Sequence, residues 1–157
     1  MDKTQKTVVA VLALLLVLAL GVTLLVRSRD RGFAPPPFES AAEKGTPTLT
    51  DEKLRFGYAT VYEGLTVGLC GECVFADGAL QVYFSSPEDN EAWVRIKIYN
   101  EKGKLLGESG ILRPGEYVKS IALSSAPKGD TLKIKLLSYE PNTYYSLGSA
   151  ELTVAVC

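Results

Sequence analysis

Hydrophobic and polar positions fall along this chain in two regimes. Residues 7–26 read TVVAVLALLLVLALGVTLLV, 20 positions without a charge and dense in Leu, Val and Ala. As a helix rising about 1.5 Å per residue, such a run covers the roughly 30 Å hydrocarbon core of a bilayer. Lys3 and Lys6 precede it, and Arg27, Arg29 and Arg31 follow. A helix buried in a soluble core is shorter and keeps a polar stripe. A cleaved signal peptide is the rival reading, but its apolar run is shorter and ends at small residues. Here the run leads into Arg-Ser-Arg-Asp-Arg and then Gly-Phe-Ala-Pro-Pro-Pro, and no lipid-accepting cysteine follows. The pattern predicts residues 1–6 as a short cytoplasmic N-terminus and residues 7–26 as a single uncleaved transmembrane signal-anchor. Flanking Lys and Arg do not decide the orientation. Long domains cross largely regardless of such charges, which favours an extracellular C-terminal domain.

Residues 27–50 carry Pro35, Pro36 and Pro37, followed by Ser, Ala, Glu, Lys, Gly and Thr with little to bury. This reads as a Pro-rich extended linker. From residue 51 the period shortens. Residues 54–61 and 65–69 are weak strand patterns, and 80–84 is a better one that stops at Ser85-Ser86-Pro87. Residues 92–100 are the clearest: Val94, Ile96 and Ile98 alternate with Trp93, Arg95, Lys97 and Tyr99, the mark of a strand with one dry face. Glu101-Lys102-Gly103-Lys104 reads as a hairpin turn, with the return strand starting at Leu105. A Pro114-Gly115 turn precedes a strand at 117–123, and Ala126-Pro127-Lys128-Gly129-Asp130 is another turn. Leu132, Ile134 and Leu136 then line one face of 131–139, and Ala150, Leu152, Val154 and Val156 one face of 149–156. Seven or eight strands at intervals of about ten residues, with no second helix, predict an all-β, Ig-like antiparallel β-sandwich over residues 51–157.

Composition narrows the chemistry. The chain has no histidine, which removes Ser–His and Cys–His nucleophile pairs and every His-ligated metal. From Asp51 onward 11 Lys/Arg stand against 14 Asp/Glu, without the concentrated basic run of a nucleic-acid binder.

Ser86-Pro87-Glu88-Asp89-Asn90, the strand Trp93–Tyr99, and the stretch from Gly103 to Glu116 containing Gly107-Glu108-Ser109-Gly110 and Arg113-Pro114-Gly115-Glu116 carry a resemblance. Together with the N-terminal anchor, this stretch resembles small membrane-anchored surface proteins of Gram-positive bacteria. It covers about residues 80–156. The resemblance implies an Ig-like surface domain without catalytic residues. The chain departs from that pattern at Ser86, where Asn is common, and in its cysteine pair.

Cys70-Gly71-Glu72-Cys73 is the sharpest local motif. A Cys-x-x-Cys pair forms a redox-active disulfide where positive charge or a helix N-terminus lowers a thiol pKa. Here Glu72 and the following Val-Phe-Ala-Asp-Gly favour neither, so a structural short-loop disulfide at a β-turn is the preferred expectation. Free thiols and a zinc site shared between two chains are the remaining options. Cys157, the last residue, is a candidate intermolecular thiol, or a partner for Cys70 or Cys73. Ser125-Ala126-Pro127-Lys128 matches S-x-x-K, but Pro127 and Gly129 place it in a turn rather than at a helix start. Glu88, Asp89 and Glu91 lack the alternating spacing of a calcium loop. Tyr144 and Tyr145, beside Tyr139, are candidates for an aromatic surface or for packing.

These readings predict a non-catalytic binding or structural module, held by one span in the cell membrane. It needs no cofactor or metal, and its partner is an envelope protein or a cell-wall polymer. The alternative is a membrane-anchored thiol–disulfide redox protein using Cys70 and Cys73.

Overall fold

A computed structural model describes residues 2–29 and 33–157, and within the N-terminal helix the side chains of residues 3–5, 8 and 11–23. The chain forms two compact units, residues 1–35 and 36–157.

Helix α1 spans Lys3–Arg29. Side chains satisfy two backbone amides at its start. The Asp2 carboxylate accepts from the Lys3 amide at 2.8 Å, and the Gln5 side chain accepts from the Asp2 amide at 3.3 Å. Thr23 returns its hydroxyl to the Ala19 and Leu20 carbonyls, so the polar group of this residue is satisfied inside the helix. The described Val and Leu side chains of α1 are all exposed, on every side of the helix. Among the described residues no helix is long and apolar enough to cross a membrane. The uncharged run 7–26 is helical throughout, but several of its side chains, like those of the flanking Lys6, Arg27, Arg29 and Arg31, lie outside the described set.

The second unit is built of strands alone. They are β1 Glu43–Lys44, β2 Arg55–Tyr62, β3 Leu65–Ala76, β4 Ala79–Ser86, β5 Trp93–Tyr99, β6 Leu105–Glu108, β7 Glu116–Ala122, β8 Thr131–Tyr139 and β9 Ser146–Val156. They hydrogen-bond in the order β1-β7-β4-β3-β9-β8-β5-β6, with β2 added on β3. The result is one curled, mixed sheet and not the purely antiparallel arrangement predicted. The exception is β3–β9, which pairs in parallel through Glu72↔Ala155 and Cys73↔Val156. A chain returning beside β3 in the same direction is what carries the sheet from one half to the other.

Alternation places the core. In the rows Ile98–Ile134–Leu152 and Ile96–Leu136–Ala150, residues directly opposite one another on β5, β8 and β9 share one face, and the Ile and Leu of β5 and β8 are buried there. Phe84, Leu80, Val82, Val67 and Leu65 close over them from β4 and β3. Asn90 supplies a rung where the strands lack one. Its side chain accepts from the Thr66 amide at 2.9 Å, donates to the Thr66 carbonyl at 2.7 Å, and donates to Ser86 at 3.0 Å. The loop after β4 is thereby bound to the start of β3.

Two strand irregularities shape the curl. On β4, Tyr83 has φ 48° between the pairs Gln81↔Ser120 and Phe84↔Val118, so β4 carries one residue more than β7 over this stretch. A left-handed tyrosine is a costly way to make a bulge. The ring is buried, and its hydroxyl meets Thr50 at 2.9 Å. On β3, Arg55↔Glu72 and Phe56↔Cys70 leave Gly71 without a partner, and Cys70 and Cys73 both turn inward.

The segment predicted as an extended linker differs from expectation after residue 36. The Ile111 amide donates to the Pro37 carbonyl and the Glu39 amide to the Ile111 carbonyl, both at 2.9 Å. Glu39 accepts from the Gly110 amide at 2.7 Å, and β1 pairs with β7. The segment docks because Gly110 leaves it room: a Cβ there would stand 2.4 Å from the Glu39 amide nitrogen. Phe38 supplies the apolar anchor, with its ring 4.9 Å from Trp93 and the Arg113 guanidinium 3.6 Å above it.

Gly110→Ala is therefore expected to displace the docked segment and to cost about 1–3 kcal/mol, the usual range for overpacking. Urea denaturation gives the energy, and faster amide exchange at Glu39 than in the wild type gives the location. Asn90→Ala, which orphans both polar groups of Thr66, is expected to cost about 1–3 kcal/mol in the same assay.

Candidate functional site

The Cys-x-x-Cys motif lies within β3 and not at a β-turn. The hairpin turn follows four residues later, at Asp77-Gly78, where both residues take positive φ. All three cysteines are free thiols. In place of the expected short-loop disulfide, the Cys73 thiol donates to the Cys70 carbonyl at 3.2 Å. Both thiols are buried among apolar side chains, whereas Cys157 is exposed. Cys157 nevertheless belongs to the same end of the sheet, because its amide donates to the Cys73 carbonyl at 2.9 Å.

This environment disfavours thiolates. Burial pushes the Cys73 thiol up to about 12, with further contributions from the neighbouring Cys70 and Cys157. Burial alone pushes Cys70 up to about 11. Reactive cysteines have the opposite setting, partly exposed and beside positive charge. Among the described residues no group of three His, Cys, Asp or Glu side chains is arranged to hold a metal ion.

The other candidates are dispersed. Ser125 and Lys128 are exposed in the irregular β7–β8 connection, with no helix to align them. Glu88, Asp89 and Glu91 surround the turn that delivers Asn90 to Thr66, closed by the Asn90 amide on the Pro87 carbonyl at 3.2 Å. Tyr144 packs its ring 5.3 Å from Trp93, which makes it the third member of a row with Phe38. Tyr145 is 71% exposed. Tyr139 sits opposite Trp93 on β8. Tyr144 and Tyr139 are thus placed next to Trp93, and Tyr145 stands apart from them.

Two polar clusters were not anticipated. The first ties β1 to β7: Lys119 pairs with Glu43 at 2.8 Å, and the Tyr117 hydroxyl donates to the same carboxylate at 2.7 Å. The Lys119 and Tyr117 bonds hold the Glu43 carboxyl below its ordinary range, and they raise both donors. Its sequence signal is weak, because the partners lie more than 70 residues apart.

The second cluster is the outer face of β5, β8 and β9. Lys97 stands directly opposite Lys135, and Lys135 opposite Glu151; in the next row Tyr99 stands opposite Lys133. Arg95, almost wholly buried, pairs with Glu108 at 2.7 Å, and Lys97 reaches the same carboxylate at 3.5 Å. A concavity of about 340 Å³ is lined by Tyr99, Gly103, Lys133, Lys135 and Glu151. The polar half of the alternation marked these residues one strand at a time. Their juxtaposition depends on the order β6-β5-β8-β9, which no single strand reveals.

No known family model matches the chain. No curated protein matches it either.

The raised thiols give a signed pH dependence. Below about 8.5, the ordinary thiol value, both states keep their protons and the full stabilisation is present. Above it the unfolded chain releases protons that the folded chain retains, so stability falls as pH rises through 11 and 12. Urea midpoints at pH 7.5 and pH 10.5 are expected to fall further for the wild type than for Cys70→Ala/Cys73→Ala. Equal slopes would show that these thiols titrate normally in the fold.

Proposed function

We propose that this protein is a membrane-tethered, extracellular Ig-like module of the cell envelope, non-catalytic, that binds or scaffolds another envelope component. The observation that carries this reading is the strand order. Two antiparallel sets, β7-β4-β3 and β9-β8-β5-β6, meet at a short parallel β3–β9 contact. Two antiparallel sets of strands packed over one core are the frame of an Ig-like sandwich, and β3 is the strand here that touches both sets. The tether reading rests on the 20 uncharged residues 7–26 between basic flanks, and the cellular setting on the resemblance to small anchored proteins of Gram-positive bacteria.

Such domains carry contacts on sheet faces and end loops supported by a rigid core. Here the described side chains with chemistry of their own lie on faces and rims, and none converges into a nucleophile–base pair. The alternative of a thiol–disulfide enzyme using Cys70 and Cys73 is the weaker one, because both sulfurs are buried and held as thiols.

Cys157 provides the test, since it is the exposed thiol. A membrane-impermeant maleimide applied to intact cells is expected to add one label per chain, and three after denaturation. Cys157→Ser is expected to abolish the native label. Labelling that requires lysis would place the domain on the cytoplasmic side and end the displayed-module reading.

A further inference from the structure

The domain is acidic as a whole, with 11 cations against 14 carboxylates from Asp51 onward, yet one end of the sheet is basic. Two concavities flank the β5–β6 hairpin. The first, on the outer face of β5, β8 and β9, holds Lys133 and Lys135. The second, of about 310 Å³, holds Lys102, Lys104 and Lys128. The only carboxylates lining the two are Glu151 and Glu101, and Glu101 is occupied by the Thr131 hydroxyl at 2.9 Å.

Several features of this face of the sheet, in and beside the first concavity, are those of an anion site. Lys97 and Lys135 face each other directly across β5 and β8, a like-charge pair that Glu108 relieves on the Lys97 side alone, at 3.5 Å. Among the described residues neither Lys133 nor Lys135 has a carboxylate within ion-pair distance, although Glu151 is the cross-strand neighbour of Lys135. Glu108, the carboxylate that reaches this face from β6, is shared by two cations, Arg95 and Lys97. Tyr99 adds a hydroxyl on the rim beside Lys133.

The ligand chemistry follows from the donors. Lysine ammonium groups act as compact point charges with rotatable donors and no planar fork. That suits the spread charge of a phosphate more than the bidentate geometry of a carboxylate. The two concavities adjoin one hairpin, so a chain of successive phosphates has a second basic surface to follow.

We propose that the outer face of β5, β8 and β9, centred on Lys97, Lys133, Lys135 and Tyr99, binds a phosphate-bearing anionic polymer. This deepens the envelope-module reading by naming the class of its partner, and it rests on that reading for its setting.

The test uses the full chain in non-ionic detergent, with inorganic polyphosphate as the probe and binding followed by thermophoresis at several salt concentrations. Lys133→Glu/Lys135→Glu is expected to weaken binding at least tenfold and to flatten its salt dependence. Glu151→Gln is expected to tighten it. Lys44→Glu/Lys53→Glu, the same charge change at exposed positions away from this face, is the control and is expected to change affinity less than threefold. Thermal melts of all variants confirm folding.

Three results would overturn the proposal. One is absence of polyphosphate binding by the wild-type chain. Another is equal weakening by the control pair, which would reduce the effect to net charge. The third is binding only to vesicles containing phosphatidylglycerol, which would make the face a lipid contact. Each would leave the surface labelling of Cys157 unaffected, so the failure of this inference is separable from that of the displayed-module reading.

Discussion

Two residue pairs, Glu72↔Ala155 and Cys73↔Val156, join strands that run in the same direction and so connect the β7-β4-β3 half of the sheet to the β9-β8-β5-β6 half. Most of the architecture answers to this contact. β3 reaches it because Gly71 is an unpartnered extra residue, which turns Cys70 and Cys73 to the same buried side. β9 reaches it by pairing along β8 for nearly its whole length, which brings Val154 into the core beside Leu132. The two thiols are therefore best understood as small apolar side chains at a seam, where a larger residue would push the halves apart.

The docked segment before β2 makes a second seam. Phe38, Glu39 and Glu43 bind three successive places on the 110–119 stretch: the Gly110–Ile111 backbone, the Arg113 guanidinium, and the Tyr117–Lys119 pair. The apolar and polar contributions support each other. The Phe38–Trp93–Tyr144 row fixes the position of the segment, the Glu39 carboxylate accepts from the Gly110 amide, and Glu43 holds the Tyr117 hydroxyl and the Lys119 ammonium. This segment adds a two-residue strand at one end of the strand order, covering the β7 edge at Glu116 and Tyr117.

What could be read in advance follows from whether the cause was local. β5 and β8 were legible because each carries its own dry face, Val94, Ile96 and Ile98 in one and Leu132, Ile134 and Leu136 in the other. The second half of β3 was not. Cys-Gly-Glu-Cys resembles a turn, and only the strands on either side show it to be a bulge. The docking of residues 37–44 was hidden for a related reason: proline and small polar residues indicate a spacer, and the groups that capture them lie some 70 positions away. Of the candidate site residues, the cysteine positions were readable but their bonding was not. The lysine face could be read only as separate polar positions, because like charges become neighbours only once β5, β8 and β9 are set side by side.

The parallel contact also orders the folding of the chain in time. Its two partners lie far apart in the β unit, so this junction can close only after β9 is available. Closure of so long a loop is slow compared with hairpin formation, and folds dominated by such pairings take milliseconds to seconds. The β3–β4 and β5–β6 hairpins can form early, but neither commits the molecule to its final shape.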